Sequence, residues 1–454
     1  MEKASFNKNF RRSLITLVIP IALQNLIASA TGAADVIMLG AISQSVMAAI
    51  SLANQITFVI MLFYAGVSFG AGILVAQYWG KNDSAAIGRV LGIASGFAAA
   101  ISFAFFIASL FFPEALMGIF TNDAELIMHG ARYKQAVAFS YLFTGIAQVY
   151  LAVARSMEKV RFSASVSSGG LALNIILNAV CIFVLFPGNP SAAVLGVAVA
   201  TVAVRFAELA CCVAHSLRSG NIRFSLPSYD EKQKQLLRDF IRYASPVLAT
   251  YVVWGSAMAL TNAFIGHISS DAVAANAIAN VIRNLAIVLC GGISGGGSVL
   301  IGKFLGGGDI EAAKKAGIQI YLYALLFGVL AAGMVLLARP LTLRLVDINA
   351  AALAYLDVML LITAARCIGK SLNMTIIGGV FCAGGDAKFS FWCDAIVMWG
   401  IIMPLGYLSA FVWQVSPIAL FVVLSLDEVI KMPIALARFR KYLWLKNITR
   451  DLPA

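Results

Sequence analysis

The chain has 454 residues, of which 61% are hydrophobic and only 12% charged, with a mean hydropathy of +0.90. A soluble globular domain carries about twice that charged fraction, so composition excludes soluble classes and leaves an all-α membrane protein that crosses the bilayer many times. The net charge of +12 is accounted for by basic loops that face lipid, and it gives no support to nucleic-acid binding.

Apolar runs long enough to span a bilayer, about 20 residues each, recur with short polar breaks. Twelve are expected, near 13–38, 46–78, 88–112, 132–155, 163–186, 191–216, 241–266, 272–304, 313–337, 352–383, 387–411 and 416–438. The runs near 46–78, 272–304 and 352–383 are long, which implies tilt or extension beyond the lipid. Lys3, Lys8, Arg11 and Arg12 ahead of Ala28-Ser29-Ala30 have the look of a signal peptide, but cleavage there would remove most of the first span, so retention is expected.

The first span carries Asp35, the one charged residue between Ser13 and Gln44. Gln24, Ala28 and Thr31 share its helix face by spacing. A carboxylate inside a bilayer is costly, by about 2.5 kcal/mol or more at a helix centre, and such groups usually line a wet path or a proton relay. The plainer reading is an interfacial Asp at a helix end, against which Val36-Ile37-Met38-Leu39 continue the apolar run.

With the N-terminus inside, 25 of the 33 Lys and Arg residues fall on cytoplasmic segments. Arg132, Lys134, Arg339 and Arg344 fall outside, and Arg205, Arg283, Arg366 and Lys370 lie within spans. Both termini are therefore expected on the cytoplasmic face of a cell membrane, as in a prokaryotic inner membrane. Seven cysteines without C-x-x-C spacing and three scattered histidines indicate neither a disulfide framework nor a metal site.

The chain is an internal duplication. Shifted by 226 positions, residues 20–89 align with 246–315 without a gap, and 17 of 70 pairs are identical, where chance in this composition gives roughly six or seven. The identities include Pro20/Pro246, Gly40/Gly266, Ala53-Asn54 with Ala279-Asn280, Ser68/Ser294, Gly80/Gly306 and Asp83/Asp309. The expected organisation is a six-helix lobe over 1–217, a cytoplasmic linker over 218–242 and a second lobe over 243–454. Because six is even, the two bundles should be related by a pseudo-two-fold axis along the membrane normal, and alternating access follows as one rocks against the other.

Pro20-x14-Asp35-x4-Gly40, the following Ala48-Ala49 and Ala53-Asn54-Gln55, Gln77-Tyr78-Trp79-Gly80, Asn174-Ile175-Ile176-Leu177-Asn178 and Gly196-Val197-Ala198-Val199-Ala200-Thr201 together resemble the multidrug and toxic compound extrusion (MATE) transporters over essentially the whole chain. That resemblance implies a proton or sodium site formed by Asp35 with Asn174, Asn178 and Thr201. It also implies a first helix that bends at Pro20, for which a static kink is an equal alternative. Some relatives carry a second acid at the position of Asn178, and its absence here favours proton coupling. The second half has Thr261 where the first has Asp35, so it is not an equivalent ion site.

Polar, aromatic and Met side chains on the expected first, second, fourth, seventh, eighth and tenth spans make a candidate substrate cavity, for which the residues are Gln24, Met61, Tyr64, Tyr141, Gln148, Met258, Asn262, Asn280 and Arg283. Lipid-facing or packing roles compete at each. Arg366 and Lys370 share a face and could be neutralised by Asp427 and Glu428 in the last span, as a structural charge network or as groups that face substrate. Arg205 and Glu208 read as a local pair.

The resulting expectation is a secondary antiporter, working as a monomer in membrane lipid, that exports small amphiphilic compounds against proton or sodium entry and needs no cofactor. A flippase for a lipid-linked saccharide is the alternative. An enzyme is disfavoured because no paired Asp-rich motif, H-E-x-x-H or nucleophile constellation is present. The glycines at Gly291-Gly292 and Gly295–Gly297 lack a Walker lysine and read as packing positions.

Overall fold

The computed structural model describes residues 2–40, 44–218, 222, 224 and 230–450, and the side chains of residues 2–6, 32, 33, 35–37, 39, 40 and 44 lie outside the described residues. Every described element is helical. In chain order these are α1 (Glu2–Gly40), α2 (Gln44–Gly80), α3 (Ser84–Phe111), α4 (Pro113–Gly118), α5 (Ala124–Ser156), α6 (Val160–Ala179), α7 (Pro190–Arg218), α8 (Glu231–Ile268), α9 (Ser270–Ala286), α10 (Val288–Gly306), α11 (Ile310–Leu345), α12 (Ala350–Asn373), α13 (Ala387–Ala395), α14 (Met403–Tyr407), α15 (Pro417–Ser425) and α16 (Asp427–Arg440). The helices after α6, α12, α13 and α14 continue through wider π-type turns at Val180–Leu185, Met374–Phe381, Ile396–Ile402 and Leu408–Val412.

Among the described residues, eleven helices are long and apolar enough to cross a membrane. The twelfth span is the one expected near 416–438, which is broken at Leu426 into α15 and α16, so neither piece is long enough alone. The long run expected near 272–304 is likewise interrupted, at Ile287 (φ −87°, ψ 4°), between α9 and α10. In both places the break sits beside charge or polarity at membrane depth: Arg283 and Asn284 in one, Asp427 and Glu428 in the other.

The chain divides into two compact units. One, called here the C unit, is built from Met1–Leu23, Ala76–Asn82 and Ala249–Asp451, and the other, the N unit, chiefly from Gln24–Val75 and Asp83–Leu248. Each unit thus takes in the opening stretch of the other half's first helix, and the repeated glycines explain why. In the N unit a Cβ on Gly66 or Gly70 would lie 2.6 Å from Leu248 and 2.4 Å from Ala244, on α8. In the C unit the matching Gly292 and Gly296 meet Val18 and Leu17, on α1, at 2.9 and 3.1 Å. Only a bare Cα lets the second helix of one half lie against the first helix of the other.

The other repeated residues also have physical reasons. Asp83 and Asp309 are N-caps, accepting from Ala86 N at 2.9 Å and Ala312 N at 2.8 Å, and so they start α3 and α11. Gly80 and Gly306 mark a close crossing of α2 and α10: an added Cβ would strike the backbone oxygens of Lys303 and Gln77. Asn82 and Gly308, one residue before those caps, both adopt positive φ, 61° and 80°, as a turn that leaves one helix and starts another requires.

Candidate functional site

In the N unit a small cavity of about 40 Å³ opens between α1, α2, α5, α6 and α7. It is lined by Met38, Asn54, Tyr133, Asn174, Asn178, Ile182, Val197 and Thr201. Asn174 and Asn178 stand one turn apart on α6. Asn178 Nδ2 donates to Asn174 Oδ1 at 3.2 Å, and Asn174 Nδ2 donates to Thr201 Oγ1 on α7 at 3.3 Å. Thr201 Oγ1 in turn donates to its own helix at Val197 O, at 3.0 Å. The three residues therefore form one chain of donors and acceptors across two helices. A cavity of this size holds at least one water-sized guest, which needs about 10–15 Å³ of such space. Asp35 lies three residues before the lining residue Met38 on α1, and its side chain is among those outside the described residues.

The structure adds Asn54 and Tyr133 to this lining. It also corrects the placement of Lys134, expected in an outside segment. The fourth span begins at Ala124, capped by Asp123, so Lys134 is about 15 Å along it at 1.5 Å per residue, and its side chain is fully buried. Its amine bonds Thr57 Oγ1 at 2.8 Å and Tyr141 Oη at 2.6 Å. Among the described residues no carboxylate pairs with it. Thr57 is three residues after Asn54, and Lys134 directly follows Tyr133, so on both helices this contact is within a turn of the cavity. A signal was present in the sequence: Lys134 and Tyr141 are seven residues apart, two turns on one helix face.

Of the residues expected to line a substrate cavity, Tyr64 and Tyr141 are buried inside the N unit. Tyr64 Oη bonds Ser102 Oγ at 2.8 Å and donates to Tyr141 O at 3.2 Å. Gln24, Met61 and Gln148 are half-buried. In the C unit Met258, Asn280 and Arg283 are half-buried, while Asn262 is exposed and accepts from Asn276 Nδ2 at 3.4 Å. Arg283 reaches the Asn284 amide oxygen at 3.4 Å, and no carboxylate pairs with it among the described residues. Pro20 lies inside α1, which runs through it without a break. Arg205 and Glu208 pair at 2.7 Å.

The C unit brings Arg366, Lys370, Asp427 and Glu428 together. Arg366 pairs with Asp427 at 3.0 Å and Lys370 with Glu428 at 3.2 Å. Asn373 Nδ2 donates to both the carbonyl oxygen and Oε2 of Glu428, at 2.8 and 2.9 Å. Two further members extend the network: Lys431 lies 2.7 Å from Asp394 and 4.0 Å from Asp427. Lys431, inside the span expected near 416–438, is buried in α16. Asp394 carried the same sequence signal as Asp35, a carboxylate well inside an apolar run. Gly369 allows the approach, since a Cβ there would meet Glu428 Cβ at 3.0 Å.

Many bilayer-length helices, two repeated halves and polar groups held at membrane depth define an integral membrane transporter rather than an enzyme. The MatE family profile matches residues 20–180 and 246–408, two blocks that open on the repeat's leading prolines. The chain belongs to the MatE family, the multidrug and toxic compound extrusion transporters. It is 25% identical over 438 residues to the uncharacterized transporter YisQ of Bacillus subtilis, covering 96% of this chain and 95% of that protein. It is 26% identical to the multidrug resistance protein NorM of Burkholderia vietnamiensis, covering 87% and 86%. A solved MOP superfamily transporter from Pyrococcus furiosus shares its fold, with a TM-score of 0.85 at 16% identity over 95% of this chain and 96% of that one.

Proposed function

We propose that this transporter exports small amphiphilic compounds and is driven by proton entry at the N-unit cavity, with Asp35 as the group that takes up and releases the proton. The relatives named for multidrug resistance support export of drug-like compounds. The observation that carries the choice of ion is the cavity lining: Asn54, Tyr133, Asn174, Asn178 and Thr201 are all neutral. Hard cations are held by sets of oxygen ligands that include carboxylates. A single acid among amides and hydroxyls suits a proton better, because protonation removes the cost of a charge at membrane depth outright.

Purified protein in vesicles, loaded with a fluorescent amphiphile and given either a proton or a sodium gradient, tests this directly. Export should follow the proton gradient and fall to background in Asp35→Asn. Sodium-driven export, or an unchanged rate in the variant, would overturn the reading.

A second reading concerns substrate charge. Arg283 lies on the C unit beside a network whose other cations are paired. It favours amphiphiles that bring an anionic group, including the lipid-linked saccharides a flippase would move. Export of a carboxylate-bearing dye in preference to its methyl ester, lost in Arg283→Gln, is the expected result.

A further inference from the structure

Away from both sites, the C unit has a groove of about 850 Å³ between the first turns of α1 and the N-terminal half of α11. Lys8, Arg11 and Arg12 line it and are exposed. Among the described residues none of the three is paired with a carboxylate. The two helices are tied at this level by Gln319 Nε2, which donates to Asn7 Oδ1 at 2.5 Å. One turn further along each helix the lining becomes apolar, with Ile15 on α1 and Leu322 on α11. The same faces continue through Ile19 and Leu326, and all four side chains are 45–59% exposed.

We propose that this groove binds one anionic phospholipid. The cations fall in the first turns of a bilayer-length apolar segment that starts at Asn7, which is the level of the phosphate headgroups. Guanidinium groups at Arg11 and Arg12 present paired donors to phosphate oxygens, and Lys8 adds a point charge. The Ile15–Ile19 and Leu322–Leu326 faces run from that basic end into the hydrocarbon, so they offer two tracks for acyl chains. A nucleotide or an acidic peptide would satisfy the cations but leave those tracks empty. A phospholipid uses both. Such a lipid would brace the opening stretch of α1, the helix that also carries Asp35, against α11.

Native mass spectrometry and thermal melting of the full-length protein in detergent test the site, with dioleoyl phosphatidylglycerol, dioleoyl phosphatidylcholine and inorganic phosphate as separate probes. Wild type should retain one phosphatidylglycerol and melt later with it, should show neither effect with phosphatidylcholine, and should not release the lipid to millimolar phosphate. At roughly one unit of lipid attraction per basic side chain, Arg11→Gln/Arg12→Gln should weaken phosphatidylglycerol binding about thirtyfold. Lys388→Gln/Arg440→Gln, which removes two exposed cations outside the groove, should bind as wild type. Equal retention of phosphatidylcholine, displacement by phosphate, wild-type binding in the groove variant, or equal loss in the control pair would each overturn the proposal. All four substituted residues are exposed, and lipid-free melting of each variant should match wild type.

Discussion

The two units surround their candidate sites with different polar groups, although the N unit also holds one ion pair, Arg205 with Glu208, elsewhere. The N unit surrounds a small cavity with neutral amides and hydroxyls and buries one amine, Lys134, against hydroxyls alone. The C unit pairs Arg366, Lys370 and Lys431 with Asp427, Glu428 and Asp394. A paired network is locked, because moving any member strands the others in a medium where an isolated charge is expensive. A neutral cavity has no such lock and can accept and release a cation without leaving an opposite charge exposed. The duplication supplied two copies of one scaffold, and the difference in side chains is what the proposed function rests on, with ion exchange in the N unit and a locked network in the C unit.

The strongest test of that contrast is Lys431→Ala. It leaves Asp394 and part of the charge on Asp427 without a partner, and loss of one member of a buried ion pair costs about 3–5 kcal/mol. Thermal unfolding in detergent should show the variant as one of the least stable single substitutions. The matching change in the N unit, Lys134→Met, strands only the hydroxyls of Thr57 and Tyr141. Its expected cost is about 1–3 kcal/mol, partly offset because a buried amine is removed as well. A Lys134→Met protein less stable than Lys431→Ala would contradict the comparison. Transport in Lys134→Met should still change, because the amine lies within a turn of Asn54 and directly follows Tyr133.

Asn178→Asp sharpens the contrast from the other side by giving the neutral cavity a second carboxylate candidate. Two acids with the amide of Asn174 and the hydroxyl of Thr201 approach the ligand set a hard cation needs. Sodium should then compete with protons for the site. A shift of about tenfold in the sodium concentration that supports export corresponds to about 1.4 kcal/mol, well within what one added carboxylate supplies at this depth. Sodium-indifferent export in the variant would mean that the lining does not set the ion.

Much of this architecture was legible in the residues. Span length and apolar composition predict the helices, since a bilayer leaves the backbone little choice. The repeat was visible because close backbone approaches hold Gly80/Gly306 and Gly66/Gly292 as glycine, and the same helix cap recurs at Asp83/Asp309. The Asn174, Asn178 and Thr201 set could be matched on motif alone. The burial of Lys134 and Lys431 and the pairing of Asp394 are not legible in the sequence, for two different reasons. Lys134, near the end of an apolar run, has the same local sequence whether the helix stops there or continues, and only the start of α5 at Ala124 decides it; Asp394 and Lys431 lie inside apolar runs, and only the packing of α16 on α12 and α13 shows that they pair. The break at Leu426 was hidden for a related reason, since no Gly or Pro marks it.

The smallest expected effect tests whether the halves are alike where their function does not differ. Asp83 and Asp309 make the same cap at matched positions, accepting from the third residue ahead at 2.9 and 2.8 Å. Loss of such a cap costs about 0.5–2 kcal/mol. Asp83→Ala and Asp309→Ala should therefore destabilise by similar small amounts, and the double variant by their sum, because the caps share no partner. Transport per folded molecule should be unchanged in both. If one substitution cost much more than the other, the two helix starts would have diverged in their demands, and the contrast between units would extend beyond the membrane-depth side chains to the scaffold itself.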